Sequence, residues 1–450
     1  MTAQTDADRQ ASGTAHEPQK VSPSYRKYAL ALLLFIYVLN FLDRQIVNIL
    51  AEPIRDELGL RDWQIGAMTG LSFAIFYTFL GIPIARVAER GNRPLIISVS
   101  VIVWSGFTAL CGLAQNFVHL ILARIGVGVG EAGCTPPAHS LISDYTPREQ
   151  RASALAFYSM GGPIGTLLGM ALGGVIADWY GWRTAFLVAA APGVIAGVVA
   201  ALTLVEPRKH LPPPAADAPK APTMRGAAIE LRNCPTFWLF CFSGAIQGFI
   251  AYGHSAFLGS FFFRNHGDEL GVIGETFGLQ TAGFLGVSIG LIMGVSGIVG
   301  AFIGGQLGDK LGAKDARGLA TLCATANFLA VPTYIAAMLV DSAVLALGLL
   351  VLPTVLYGLS YGPLYAVLQS VVQPRTRATA TAIFLFMTNL VGLGLGPLLV
   401  GLVSDYFAEG LGLGAAEGIR WAQVICTLVG LYGAYLYWRA RKHIVKDTVS

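Results

Sequence analysis

The stretch GGQLGDKLGAK (residues 304–314) closes a long apolar run and sets Gly305, Asp309, Lys310, Gly312 and Lys314 in the spacing G-x-x-x-D-[RK]-x-G-x-[RK]. Glycine lets two backbones approach closely, an aspartate can cap a neighbouring helix, and basic groups suit a helix's carbonyl end. One acid and one base in a loop would be an ordinary solvated turn. A degenerate copy, ARVAERGNR (85–93), stands about 220 residues earlier, with Ala85 in place of glycine, Glu89 in place of aspartate, and Arg90 and Arg93 retained. Two more segment pairs repeat at a similar interval: PREQRASA (147–154) with PRTRATA (374–380), allowing one gap, and GGVIADWYG (173–181) with VGLVSDYFA (400–408). The chain therefore reads as two parallel halves. Glu89, Arg90, Arg93, Asp309, Lys310 and Lys314 are expected to form an inner-gate latch that carries no substrate specificity.

Working outward from these repeats, only 12% of residues are charged and 54% are hydrophobic, whereas soluble domains carry about 25% charge. Apolar runs of about 20 residues recur, long enough for a hydrocarbon core of about 30 Å, where unpaired backbone amides force helices. Spans are expected at 28–50, 64–84, 94–114, 117–142, 152–177 and 184–204, then 236–262, 277–307, 318–340, 343–372, 378–403 and 419–440. With the N-terminus in the cytosol, external loops hold only Arg55, Arg61, Arg183, Arg264 and Arg420, and Arg44 and Arg124 lie within spans. All other Lys and Arg then face the cytosol, as the positive-inside rule requires. Residues 1–24 read as a disordered cytosolic tail, 25–205 as one six-helix bundle, 206–235 as a proline-rich cytosolic linker, 236–440 as the second bundle, and 441–450 as a cytosolic tail. The expected fold is thus an all-α membrane protein of twelve helices in two six-helix pseudo-repeats. Six cysteines without a CxxC pair read as small buried hydrophobes, with no disulfide, metal or cofactor, and the net charge of +4 follows from topology rather than from nucleic acid.

Charge inside the spans needs a reason, because at the bilayer centre it costs at least ~2.5–3.5 kcal/mol on insertion scales. NFLDRQIVNIL (40–50) carries Asp43 and Arg44, and RIGVGVGEAGCTPP (124–137) carries Arg124 and Glu131. The first span runs outward and the fourth inward, so Asp43 and Arg124 both lie about 10 Å below the outer boundary, with Glu131 about 10 Å deeper. Asp43 and Arg124 can therefore pair. A static ion pair fixing helix packing would need only two charges, and there are four. An acid that gains and loses a basic partner can bind and release a proton, and an arginine so freed can take an anionic headgroup. Pro136 and Pro137 are expected to disturb the fourth helix beyond this point.

The second half offers aromatics instead: Phe249, Phe257, FFF (261–263), Phe384 and Phe386. Charge on one side and aromatics on the other suit an amphipathic substrate, though each Phe could equally face lipid. His254 is read as a cavity residue or a hydrogen-bonded packing residue. Gln247, Tyr361, Tyr365, Gln369 and Asn389 either line the cavity or join helices. HSLISD (139–144) matches the H-x-x-x-x-D pattern of lipid acyltransferases, but the pair would sit about 140° apart on a helix and no companion motif accompanies it. An enzyme is not expected. GGPIGTLLG (161–169) matches the glycine–proline signature of drug antiporters only in part.

The 304–314 motif fits the signature of the major facilitator superfamily, whose parallel halves flank a substrate site near the midplane. NFLDRQIVNIL, RIGVGVGEAG (124–133) and DYTPREQRASALAFYSMGGPIG (144–165) resemble its spinster branch in bacterial form. That resemblance implies movement of lysolipids, including lysophospholipids and sphingosine phosphate, by alternating access with proton coupling. Asp43 and Glu131 would be the protonatable acids. Arg124 would pair with Asp43 and contact an anionic headgroup, and Arg44 would support the cluster. The expected partners are a lipid-like small molecule, protons and membrane lipids, in a monomer of the bacterial inner membrane with both termini cytoplasmic. The alternatives are a proton-coupled transporter of a smaller organic anion or drug, and a non-transporting receptor or scaffold.

Overall fold

Pro23 starts the first helix because its fixed φ suits a first turn and its missing N–H has no partner there. The Ser22 hydroxyl accepts from the Tyr25 N–H at 3.2 Å. The computed structural model describes residues 21–209, 231–374 and 376–449. The expected tail up to residue 20 and linker residues 210–230 lie outside them. Among the described residues every regular element is a helix, and eleven runs are long and apolar enough to cross a membrane. These are α1 (Pro23–Ile49), α2 (Asp62–Ala88), α3 (Arg93–Gly112), α4 (Phe117–Tyr145), the run Arg148–Thr203, α7 (Pro235–Thr276), α8 (Thr281–Gly312), α9 (Arg317–Leu339), α10 (Ala343–Ser370), α11 (Thr379–Gly410) and α12 (Gly414–Ala440). The run Arg148–Thr203 holds two spans, α5 (148–180) and α6 (182–203), folded back at Gly181, whose φ of 82° only glycine adopts easily. Twelve spans result.

Three local expectations change or sharpen. The seventh helix does not stop at 262: α7 continues to Thr276, so Arg264 sits on a helix rather than in a loop, and α8 begins at Thr281 instead of 277. Residues 263–276 are polar, yet water satisfies a helix that projects past the bilayer as well as it satisfies a loop. The motif expected as a loop after the eighth span instead forms the end of α8, with Asp309 and Lys310 in its last turns. In α4, Phe117–Glu131 ends and Thr135–Tyr145 begins, with Pro136 and Pro137 taken up in the new first turn, where a missing N–H breaks no helical bond.

The two halves also match in detail. Wider π turns interrupt both α2, at Ala67–Leu71, and α8, at Ile292–Ser296. The ends of the bundle differ in how the halves meet. We call the end holding the start of α1 and the finish of α12 the near end. At the far end one buried apolar cluster joins the halves, Val47, Leu50 and Ile54 with Phe257, Phe261 and Leu285. Towards the near end the core divides: Ala29, Ile97 and Leu141 belong to a cluster almost wholly of the first half, and Phe237, Cys323 and Leu368 to one of the second.

Candidate functional site

On α1, Asp43 and Arg44 are neighbours and so point to different partners. The Asp43 carboxylate accepts from the Thr108 hydroxyl of α3 at 2.6 Å and lies 3.6 Å from Arg124 Nη1 of α4. Arg44 directs Nε and Nη2 at Glu131 Oε2 of α4, each at 2.6 Å. Aromatic faces complete the cluster. The Arg44 guanidinium lies 4.6 Å from the Tyr77 ring centroid, 4.8 Å from that of Phe73 and 5.4 Å from that of Phe41, while Arg124 lies 5.4 Å from the same Phe73 centroid. Two acids and two bases thus balance in a setting where an unpaired charge would cost several kcal/mol. Asp43, Arg124 and Glu131 are sealed at 3% exposure or less, whereas the Arg44 side chain keeps 13%. Arg44 and Arg124 border a small cavity of about 30 Å³ between the halves, walled by Gln45, Asn48 and Phe73 on one side and Tyr252, Ala256 and Leu393 on the other.

The four charges expected to act together are therefore brought together, with Arg44 held by Glu131, a pairing the depth count had not assigned. Thr108, Phe73, Tyr77 and Tyr252 were missed. A lone hydroxyl or ring in an apolar span carries no sequence signal of its own.

The second-half candidates separate. His254 is buried, takes a 2.9 Å hydrogen bond with Thr427 and stacks on Tyr334 at 3.8 Å; it also lines an apolar cavity of about 190 Å³ inside that half, with Tyr357 and Tyr361. Gln247 donates to the Tyr357 carbonyl at 3.0 Å and is buried, so it ties α7 to α10. Gln369 donates to Thr381 at 3.0 Å, joining α10 to α11. Tyr365 packs edge-on against Phe384 and is partly exposed, as is Asn389 within the π turn Thr388–Leu395.

The latch candidates also divide. Asp309, Lys310 and Lys314 are exposed at the near end, and the side chains of Glu89 and Arg90 lie outside the described residues. Arg93 is buried in its own half, donating to Asp144 at 2.7 Å, to Ser140 at 2.8 Å, and through several nitrogens to Glu206. Burial alone would raise the Glu206 carboxyl, but the Arg93 hydrogen bonds outweigh it and hold that group below the ordinary glutamate range. Asp144 of the HSLISD segment is thus an ion-pair partner, and His139 packs edge-on against Tyr158.

At the far end, Arg264 of α7 donates to Glu52 at 2.7 and 2.8 Å and to Asp62 at 2.8 Å, and Ser404 of α11 donates to Asp62 at 2.6 Å. Deeper in, Asn48 donates to Ser255 and Ser255 to Gln45, at 3.0 and 3.1 Å. Each of these bonds joins one half to the other.

Residues 33–397 match the Major Facilitator Superfamily. The chain belongs to that superfamily. Like other superfamily members it is an integral membrane transporter and not an enzyme. It is similar to an "MFS-type efflux pump" of Mycolicibacterium smegmatis, 32% identical over 423 residues and 94% of each chain. It is also similar to a "Hexuronate transporter" of Bacillus subtilis, 28% identical over 393 residues, 85% of this chain and 89% of the relative. Among solved structures it matches a bacterial homolog to the human lysosomal transporter Spinster, in an inward-facing and unoccupied conformation, with a TM-score of 0.84, 32% identity, and 96% and 100% of the two chains covered. The spinster resemblance of α1, α4 and α5 thus extends over nearly the whole chain.

Proposed function

We propose that this superfamily member moves an amphipathic, lipid-like anion of the lysophospholipid or sphingosine-phosphate type by alternating access, coupled to protons through Asp43 and Glu131 with Arg124. One observation carries the reading: Arg44, the least buried member of the four-charge cluster, is held by Glu131 at the edge of a cavity shared by both halves. A proton on Glu131 frees Arg44 for an anionic headgroup, and a proton on Asp43 loosens Arg124. The far-end ion pairs and the divided near-end core correspond to a state open to the near side, which we assign to the cytosol with both termini, in a monomer of the bacterial inner membrane. The exposed acid and bases at the end of α8 would act as an inner latch in the opposite state. The test is flux in proteoliposomes with and without a pH gradient. Asp43→Asn should keep its fold and lose gradient-driven transport; normal gradient-dependent flux in that variant would reject the assignment.

A second reading, a smaller organic anion, draws support from the hexuronate transporter relative and from the modest volume of the charged cavity. Competition decides between them: lysolipids and sugar acids are set against each other in the same flux assay, and the class that inhibits at lower concentration is the substrate class.

A further inference from the structure

The segments GGVIADWYG and VGLVSDYFA carry Asp178 and Asp405, 227 residues apart, at the far ends of α5 and α11. Each aspartate reaches into the other half. Asp178 accepts from the backbone N–H of Ala282 at 3.2 Å and of Gly283 at 2.5 Å, in the first turn of α8. Asp405 accepts from the N–H of Asp62 at 3.0 Å and of Trp63 at 2.9 Å, in the first turn of α2. First-turn N–H groups have no partner within their own helix, and a negative charge suits that end of the helix dipole. Beside each cap the two helices touch backbone to backbone. A Cβ on Gly174 or Gly286 would run into the carbonyls of Ala282 or Met170, and one on Gly66 or Gly401 into those of Pro397 or Asp62.

We propose that Asp178 and Asp405 are a symmetry-related pair of interdomain helix caps that latch the far end, and that both must release for it to open. Donors and acceptor of each cap lie in opposite halves, so opening separates them. Once separated, both sides meet water, which replaces the lost bonds and makes the latch reversible. The two caps act in parallel, so removing one leaves the other, and removing both multiplies the effect. The idea rests on alternating access and is independent of the substrate.

The experiment uses the full chain with its six native cysteines replaced and a single cysteine at Ala256, which lines the central cavity. A membrane-impermeant maleimide is applied from the far-end face, without substrate. Replacing a capping aspartate by alanine should raise the labelling rate about fivefold, and Asp178→Ala with Asp405→Ala about 25-fold, as expected for independent caps. Asp→Asn keeps an accepting oxygen and should stay within about twofold of the parent. Arg264→Ala is the comparison arm, since it breaks the other far-end bridge. Parental labelling in the double alanine variant while Arg264→Ala labels fast overturns the latch and leaves alternating access standing. Parental labelling in every variant overturns both. Asparagine variants that label as fast as alanine ones overturn the capping role. Should the double variant fail to fold, the two single variants carry the same test, and an unchanged rate in both overturns the proposal.

Discussion

The Phe73 ring has the Arg44 guanidinium 4.8 Å and the Arg124 guanidinium 5.4 Å from its centre, and this helps two arginines coexist beside one small cavity. A ring face attracts a cation with up to about 2 kcal/mol when desolvated, and the planar guanidinium can stack while giving hydrogen bonds from its edge. Lysine cannot do both. Arg44→Lys is therefore expected to fold normally and to raise the KM for an anionic substrate about tenfold, read in the flux assay. Glu131→Gln should do the opposite to binding. It leaves Arg44 without its carboxylate, so an anionic lysolipid should bind at least as tightly as to the parent; titration by intrinsic tryptophan fluorescence checks this. At this scale the sequence was legible where depth sufficed. Counting residues from the outer boundary set Asp43 against Arg124. It did not assign Arg44 to Glu131, because an arginine side chain spans more than a helical turn and depth alone says nothing about its direction. Thr108, which meets Asp43 from α3, could not be told from other hydroxyls in apolar helices.

Whole elements depend on glycine where α2 meets α11 and α5 meets α8. Gly66→Ala would drive a Cβ into the Pro397 backbone, forcing the pair apart at an overpacking cost of about 1–3 kcal/mol. Gly81 on the same α2 has open space around its would-be Cβ, so Gly81→Ala should be neutral or slightly stabilising, since it only restricts the unfolded chain. A thermal melt of the two purified variants tests the contrast; equal loss in both would show that the contact at Gly66 yields without cost. The spans were readable because apolar runs of bilayer length admit few other structures. The extension of α7 was not, since NHGDELG (265–271) has the composition of a loop, and its anchor, Arg264 on Glu52 and Asp62, joins residues about 200 apart in sequence.

For the molecule as a whole, the first half is braced at its near end by Arg93. That guanidinium, 1% exposed, holds Asp144 and Glu206, themselves below a tenth exposed. Arg93→Ala takes from Glu206 its arginine and from Asp144 one of two, since Arg208 also pairs with Asp144 at 2.6 Å, and should destabilise the protein by about 1–3 kcal/mol, seen as a lower Tm in detergent. The Glu206 carboxyl is held low in the fold, so its contribution is complete above the pKa of the unfolded glutamate, near 4.3, and fades as pH falls through the folded value. The Tm gap between parent and Glu206→Gln should therefore be constant from pH 7 to about 5 and narrow below it. The duplicated plan was visible from the motif at 304–314 and its copy, whereas this brace was not, because Glu206 reads as the first residue of a linker. Gly181 adds a mechanical consequence. With α5 turning into α6 at one residue, no slack separates them, so on the alternating-access reading proposed above a tilt of α5 away from α8 would carry α6 and the Arg93 anchor at the other membrane face with it in a single stroke. A few flexible residues inserted at that corner would uncouple the stroke while leaving both helices intact.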